Sequence, residues 1–187
     1  MKHFILASGS ARRQELLHML DLAFDIVVPD IEEELNKNVT IEEAVMDLAS
    51  QKASAVFKKY PDARVLGCDT IVVIGDSILG KPKNKDEARS MIHKLSGKTH
   101  RVITGCTLIE KGNISHFYQE ASVRFSRMTD DEIEVYIATD EPYDKAGAYA
   151  IQGKAAKFIE AIEGDYYAVM GLPIQKIYEH LKQRAAL

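Results

Sequence analysis

The chain has 187 residues, 46% of them hydrophobic and 28% charged, proportions that exclude disordered and collagen-like classes and suffice for a full core in one domain spanning residues 1–187. Its 24 basic and 28 acidic side chains leave a net charge of −4, which argues against nucleic-acid binding; small phosphorylated ligands, needing only a few convergent cations, stay open. No apolar run reaches the roughly 20 residues that span a bilayer and no signal-type segment is present, so a cytoplasmic protein with no membrane partner is expected.

In chain order, Phe4–Ala7 reads as a short apolar strand and Ser8-Gly9-Ser10 as a turn with Ser10 as helix N-cap. Leu16, Leu17 and Leu20 form the buried stripe of the helix that follows. Ala23–Val28 reads as a second strand, then the acidic stretch Asp30–Glu34 as loop. Thr40 with Glu43 makes a capping box for a helix to about Tyr60, with Ile41, Val45, Leu48 and Val56 facing inward. Val65–Ile74 and Ile78-Leu79 are strands joined around Gly75-Asp76, and Asn84 with Glu87 caps a helix ending near Ser96-Gly97. Arg101–Glu110 and Ser115–Ser126 form a long antiparallel pair across Lys111-Gly112-Asn113. Thr129 with Glu132 caps a further helix, Lys157–Ile162 is a strand, and a last helix follows Gly171-Leu172-Pro173. This order predicts an α/β fold, a mixed central sheet with helices on both sides.

Several residues break their local pattern. Arg12 and Arg13 place two positive charges at a helix start that already carries partial positive charge; either they are solvated, or a phosphate or carboxylate completes the site. Asp69 lies in a strand whose neighbours are nearly all apolar. It either caps a turn or pairs with a cation as a structural group, or it is a metal-binding or water-activating carboxylate. Lys52 falls on the stripe of Ile41, Val45, Leu48 and Val56, where an amine points inward unless it snorkels out. Lys81, in Gly80-Lys81-Pro82, is by itself an ordinary loop lysine, and Glu32-Glu33-Glu34 is a solvated charge run unless a metal or cation cluster is near. Asp144–Gly153 holds two glycines that allow close backbone approach, and Gln152 presents both donor and acceptor to a planar partner such as a nucleobase; a plain loop is the other reading. Cys68 and Cys106 read as buried reduced thiols. No histidine pair has zinc-site spacing, and neither a Walker A motif nor GxGxxG occurs.

Taken as an ordered set, Leu6–Arg13, Gly67–Val72, Gly80-Lys81-Pro82, Leu95-Ser96-Gly97, Asp144–Tyr149, Ile151-Gln152-Gly153 and Gly164–Pro173 resemble the Maf family of nucleoside triphosphate pyrophosphatases over essentially the whole chain. Three positions depart from the usual pattern: Ala11 for proline, Cys68 for alanine and Ala150 for glycine. The resemblance implies two lobes around a nucleotide-binding cleft and cleavage between the α and β phosphates of dTTP or UTP with a divalent cation, Mg²⁺ or Mn²⁺. It assigns Asp69 as proton acceptor for water and, with Glu33, as metal carboxylate. Arg12, Arg13, Lys52 and Lys81 then hold the triphosphate, Ser8 and Ser10 supply turn donors, and Thr70 and Gln152 select the base. A homodimer is the assembly it suggests. The alternative it carries is a nucleotide-responsive inhibitor of septum formation that acts by binding division partners.

Overall fold

The computed structural model describes residues 3–183. In chain order its elements are β1 (Phe4–Ala7), α1 (Ala11–His18), β2 (Asp25–Ile26), α2 (Ile41–Phe57), β3 (Arg64–Ile74), β4 (Ser77–Leu79), α3 (Lys85–Leu95), β5 (Thr99–Glu110), β6 (Asn113–Phe125), α4 (Asp130–Ile137), three short 3₁₀ turns, β7 (Ile159–Gly164), α5 (Tyr166–Met170) and α6 (Ile174–Gln183). The strands form one mixed sheet in the order β2-β1-β3-β5-β6-β7, with β4 paired to β3. β1 runs parallel to both its neighbours, Leu6 lying beside Ile26 and Leu66.

Three side-chain pairs fix the register between β3 and β5: Arg64 with Glu110, Cys68 with Cys106 and Thr70 with Thr104. As β3 advances its partner on β5 recedes, so the two strands are antiparallel. Lys111 (φ 49°) and Gly112 (φ 77°) then reverse the chain in two residues between β5 and β6, the doubly positive φ of a type I′ hairpin turn.

The contacts divide the chain into two compact units. The first comprises the residues up to Thr70, Thr104–Gln119 and the segment from Gly171 onward; the second comprises Ile71–Ile103 and Glu120–Met170. In the first unit α2 covers one face of the sheet, where Ala53 and Val56 pack with Ile5, Ala7, Val65 and Ile109. The helix comes in close because two strand residues lack a side chain. A Cβ on Gly67 would lie 2.8 Å from the Ala53 backbone nitrogen, and one on Gly105 would lie 2.7 Å from the Val45 carbonyl carbon. On the opposite face, α1 sends Arg13 to Thr70, and His180 of α6 stacks on Phe117 of β6 with ring centroids 3.9 Å apart.

In the second unit α3 and α4 close over the ends of β3, β5 and β6, burying Ile92, Leu95, Val123, Phe125, Ile133 and Phe158 together. His100 on β5 is inside this core, only 2% exposed. Its Nε2 shares a hydrogen bond of 2.8 Å with the Tyr149 hydroxyl, the rings of Phe125 and Tyr149 stand edge-on to it, and its Nδ1 has no partner. Burial depresses its pKa to about 4.

Thr40/Glu43 and Thr129/Glu132 are complete reciprocal capping boxes. At α3 the box is half formed: Asn84 accepts from the Glu87 amide, but the Glu87 carboxylate takes the Lys83 amide instead. Strand and helix ends also differ from those expected. The second strand shrinks to Asp25–Ile26, β5 starts at Thr99, β6 at Asn113, and α1 stops at His18, before Leu20. The last strand begins at Ile159, because Lys154–Phe158 is a 3₁₀ turn whose first two amides are held by the Glu141 carboxylate.

Two outcomes follow from this packing. Because the folded pKa of His100 lies below the unfolded value of about 6.5, its contribution is fully present above pH 6.5 and is lost as pH falls toward 4, on the order of 3 kcal/mol over that window. Urea unfolding between pH 7 and pH 4.5 therefore shows a steeper loss of stability for the native chain than for His100→Gln, whose side chain does not titrate. Gly67→Ala pushes α2 off the sheet and costs about 1–3 kcal/mol. Gly80→Ala, where an added Cβ meets nothing within 4 Å, stays within about 0.5 kcal/mol of the parent in the same measurement.

Candidate active site

The parallel register places the first group of pattern-breaking residues. Ala7, the last residue of β1, lies beside Gly67, so Asp69 sits two residues further along β3, just past the carboxyl end of β1, where the chain turns through Ser8-Gly9-Ser10 into α1. Loops beyond the carboxyl ends of parallel strands are the usual place for ligands in α/β sheets.

Asp69 shares its face of β3 with Gly67, because side chains alternate along a strand. The same close approach that seats α2 on Gly67 brings Lys52, one turn beyond Ala49, down onto that carboxylate. Lys52 Nζ lies 2.5 Å from Asp69 Oδ1 and 3.0 Å from Glu33 Oε2. Lys52 and Asp69 side chains are 11% and 14% exposed, Glu33 44%. Lys52 therefore does not snorkel: its amine bridges an inner carboxylate and an outer one, and the three groups together keep one negative charge in excess. The Glu33 loop is anchored beside α2, since Gln51 donates to the Glu34 carbonyl (2.8 Å) and accepts from the Glu34 amide (3.0 Å).

Arg13 works on the other face of β3. Nε donates to the Gly171 carbonyl (2.8 Å), Nη1 to the Cys68 carbonyl (2.8 Å) and to Ser8 Oγ (3.3 Å), and Nη2 to Thr70 Oγ1 (2.9 Å). Thr70 Oγ1 in turn hydrogen-bonds Thr104 Oγ1 at 2.9 Å. Four of the five guanidinium N–H donors thus serve the protein itself, tying α1 to the two residues that flank Asp69. Ser8 is buried, and its hydroxyl also accepts from the Ser10 amide. Ser10 is the N-cap residue in extended conformation, but its side chain makes no capping hydrogen bond. Arg12 is half-buried in the first turn of α1.

Lys81 and Gln152 belong to the second unit and are both exposed. Lys81 follows Gly80, whose carbonyl accepts from the Gly147 amide at 3.0 Å, which ties the Gly80-Lys81-Pro82 segment to the glycine segment. Gly147 has φ +70° with Val72 carbon atoms 2.9–3.0 Å from where a Cβ would stand, so this position tolerates glycine for both conformation and space. Cys68 and Cys106 are buried free thiols with sulfurs 3.3 Å apart.

The structure brings together Ser8, Arg13 and Thr70 on one face of β3 and Glu33, Lys52 and Asp69 on the other. Sequence reasoning gave no structural role to Gly67, Gly105 or the Gly171 carbonyl; for the first two, a glycine inside an apolar strand was the available signal. It also missed the inward role of Arg13, for which there was none. For a metal, Asp69 and Glu33 supply hard oxygen donors; among the described residues no cluster of three or more His, Cys, Asp or Glu side chains is placed to hold an ion. Two carboxylates with an excess negative charge fit a hard divalent cation such as Mg²⁺, which is commonly held by one or two carboxylates together with water and ligand phosphates.

The model of the Maf family, described as Maf-like protein, matches residues 3–184. Among curated proteins, the dTTP/UTP pyrophosphatase of Bacillus cytotoxicus is 51% identical over 98% of this chain and 96% of its own length. Those of Bacillus cereus and Bacillus mycoides are each 50% identical with the same coverage. With a family model and half-identical relatives that both extend over nearly all of its length, the chain belongs to the Maf family.

Proposed function

We propose that the chain is a nucleoside triphosphate pyrophosphatase that hydrolyses dTTP and UTP to the nucleoside monophosphate and pyrophosphate. The observation that carries this reading is the Glu33–Lys52–Asp69 cluster just past the end of β1, in a chain half identical to dTTP/UTP pyrophosphatases. Water attacks the α-phosphorus, the bond from that phosphorus to the α,β-bridging oxygen breaks, and the bridging oxygen leaves with pyrophosphate. Asp69 takes the proton of the attacking water, its carboxylate aimed by Lys52. Lys52 also sets positive charge where negative charge grows on the phosphates, and Arg12 and Lys81 add theirs along the triphosphate. Arg13 supports this from behind by fixing the Cys68 carbonyl and the Thr70 side chain on either side of Asp69, while Ser8 and Ser10 supply the turn donors. Asp69 and Glu33 would hold the divalent cation, Mg²⁺ or Mn²⁺, which supplies further charge neutralisation at the phosphates. Gln152, with Thr70 as the second candidate, reads the base. Uracil and thymine present a C=O/N–H/C=O edge that a primary amide and nearby backbone amides match, whereas cytosine reverses part of it and leaves groups unpaired. The expected order is UTP and dTTP above CTP, in a cytoplasmic enzyme. No helix among the described residues is long and apolar enough to cross a membrane.

The decisive assay follows products: with Mg²⁺ and UTP, chromatography finds UMP and pyrophosphate as primary products, and a chelator abolishes turnover. UDP with orthophosphate would overturn the reaction type. Asp69→Asn lowers kcat by about 10²–10⁴-fold because an amide takes no proton, while the protein stays folded since Glu33 still pairs Lys52. Circular dichroism and nucleotide titration of that variant check that fold and most affinity persist. Near-native turnover would make Asp69 a structural group.

A further inference from the structure

Gln152 is exposed, and nothing in its own side chain fixes it. The backbone that follows it is nevertheless held. Following it, the Glu141 carboxylate accepts the Lys154 amide at 2.7 Å and the Ala155 amide at 3.2 Å, the first two N–H groups of the 3₁₀ turn Lys154–Phe158. Gly153 precedes that turn in extended conformation (φ −171°) and supplies no side-chain cap, so the donors that a helical start leaves open are satisfied from outside by a negative charge. The carboxylate is itself fixed from the core, because the Tyr136 hydroxyl donates to Glu141 Oε1 at 3.0 Å.

Tyr136 is 3% exposed on α4, inside the core of the second unit and edge-on to Phe158. Burial, and then the neighbouring Glu141 charge, raise the pKa of its phenol, so it remains a donor at every working pH. A chain of bonds therefore runs from the core through Tyr136 and Glu141 to the backbone directly after Gln152. It also explains the glycine. A Cβ on residue 153 would lie 2.6 Å from the Glu141 carboxyl carbon, so the carboxylate occupies the space that any side chain there would need. Thr139 completes the support: its hydroxyl donates to the Tyr136 carbonyl at 2.8 Å and accepts the Glu141 amide at 3.4 Å.

From this geometry we infer that Glu141, carried by Tyr136, is the positioning residue for base selection: it holds the 153–155 backbone directly after Gln152 so that Gln152 presents its amide in one place, without itself touching the nucleotide. The inference rests on the reading of Gln152 as the group that meets the base. A loop held in one conformation loses little order on binding and cannot readjust to a mismatched edge, which converts a weak amide contact into discrimination.

The test compares kcat and KM for UTP and CTP in the native enzyme, Gln152→Ala, Glu141→Gln, Tyr136→Phe and Gly153→Ala, with a melting curve for each. Glu141→Gln removes the charge and one acceptor at similar volume. It raises KM for UTP roughly tenfold, as expected for loss of charge-assisted hydrogen bonds, changes kcat less than about threefold, and lowers the UTP to CTP ratio of kcat/KM. Tyr136→Phe moves the ratio the same way by less. Gly153→Ala, which collides with the carboxylate, reproduces the Glu141→Gln phenotype, and the two substitutions combined cost less than the product of their separate effects. Should Glu141→Gln not fold, Tyr136→Phe and Gly153→Ala decide the matter. If Gln152→Ala lowers the ratio while these variants keep the native ratio, Glu141 is not the positioning residue and Gln152 still reads the base. If Gln152→Ala itself leaves the ratio unchanged, the reader is elsewhere and this role of Glu141 falls with it.

Discussion

The candidate site depends on how closely one helix lies on the sheet. Lysine has to reach a carboxylate that projects from the middle of an apolar strand, and burying either charge unpaired would cost several kcal/mol. Two glycines on adjacent antiparallel strands remove the side chains that would keep α2 at ordinary distance, and the helix backbone settles into that space. Ala49 and Ala53, the helix residues at the Gly67 contact, are as small as a helix allows without glycine, and at Gly105 it is the backbone of Val45 and Met46 that comes in. Once the helix is seated, the position of Lys52 one turn along from Ala49 decides where its amine goes. The Lys52–Asp69 pair is thus a product of backbone packing, and Glu33 adds a second carboxylate on the solvent side.

Asp69 is also steadied from behind. The two backbone positions beside it are gripped by a single planar guanidinium, which reaches the carbonyl before it and the hydroxyl after it. Arg13 suits this task better than lysine would, because its donors diverge in a fixed fork and can serve four acceptors at once. The adjacent arginines thus differ in kind. The positive charge at the start of α1, which looked like an invitation to an anion, is in the case of Arg13 answered largely by carbonyl and hydroxyl oxygens of the protein.

How much of this was legible depended on the distance over which each contact acts. Capping boxes span three residues, and those of Thr40 and Thr129 were read correctly; the box at Asn84 was half right because Glu87 found a competing amide one residue upstream. The mixed α/β order and the reversal between β5 and β6 around Lys111-Gly112 were likewise local; the type of that turn came only with the structure. Lys52 and Asp69 could be recognised as misfits, but not as each other's partners, since periodicity says only that a residue faces inward. Cys68 and Cys106 look unrelated in sequence, yet the antiparallel register makes their thiols neighbours. The start of β7 was misplaced because the signal that delays it is a carboxylate 13 residues upstream of Lys154. No composition rule anticipates such a cap.

The Arg13–Gly171 hydrogen bond joins residues 158 positions apart, and this has a bearing on how the molecule is made. On the ribosome, β1, the Ser8–Ser10 turn and α1 emerge well before the carbonyl that completes the grip of Arg13. Contacts of such high sequence separation form late, after the entropy of closing a long loop has been offset by other pairings. Asp69 accordingly stands beside an unfinished support until Gly171 has been added. A ribosome that stalls before Gly171 releases a chain in which Arg13 and Asp69 are both present but the grip on either side of Asp69 lacks one of its four acceptors.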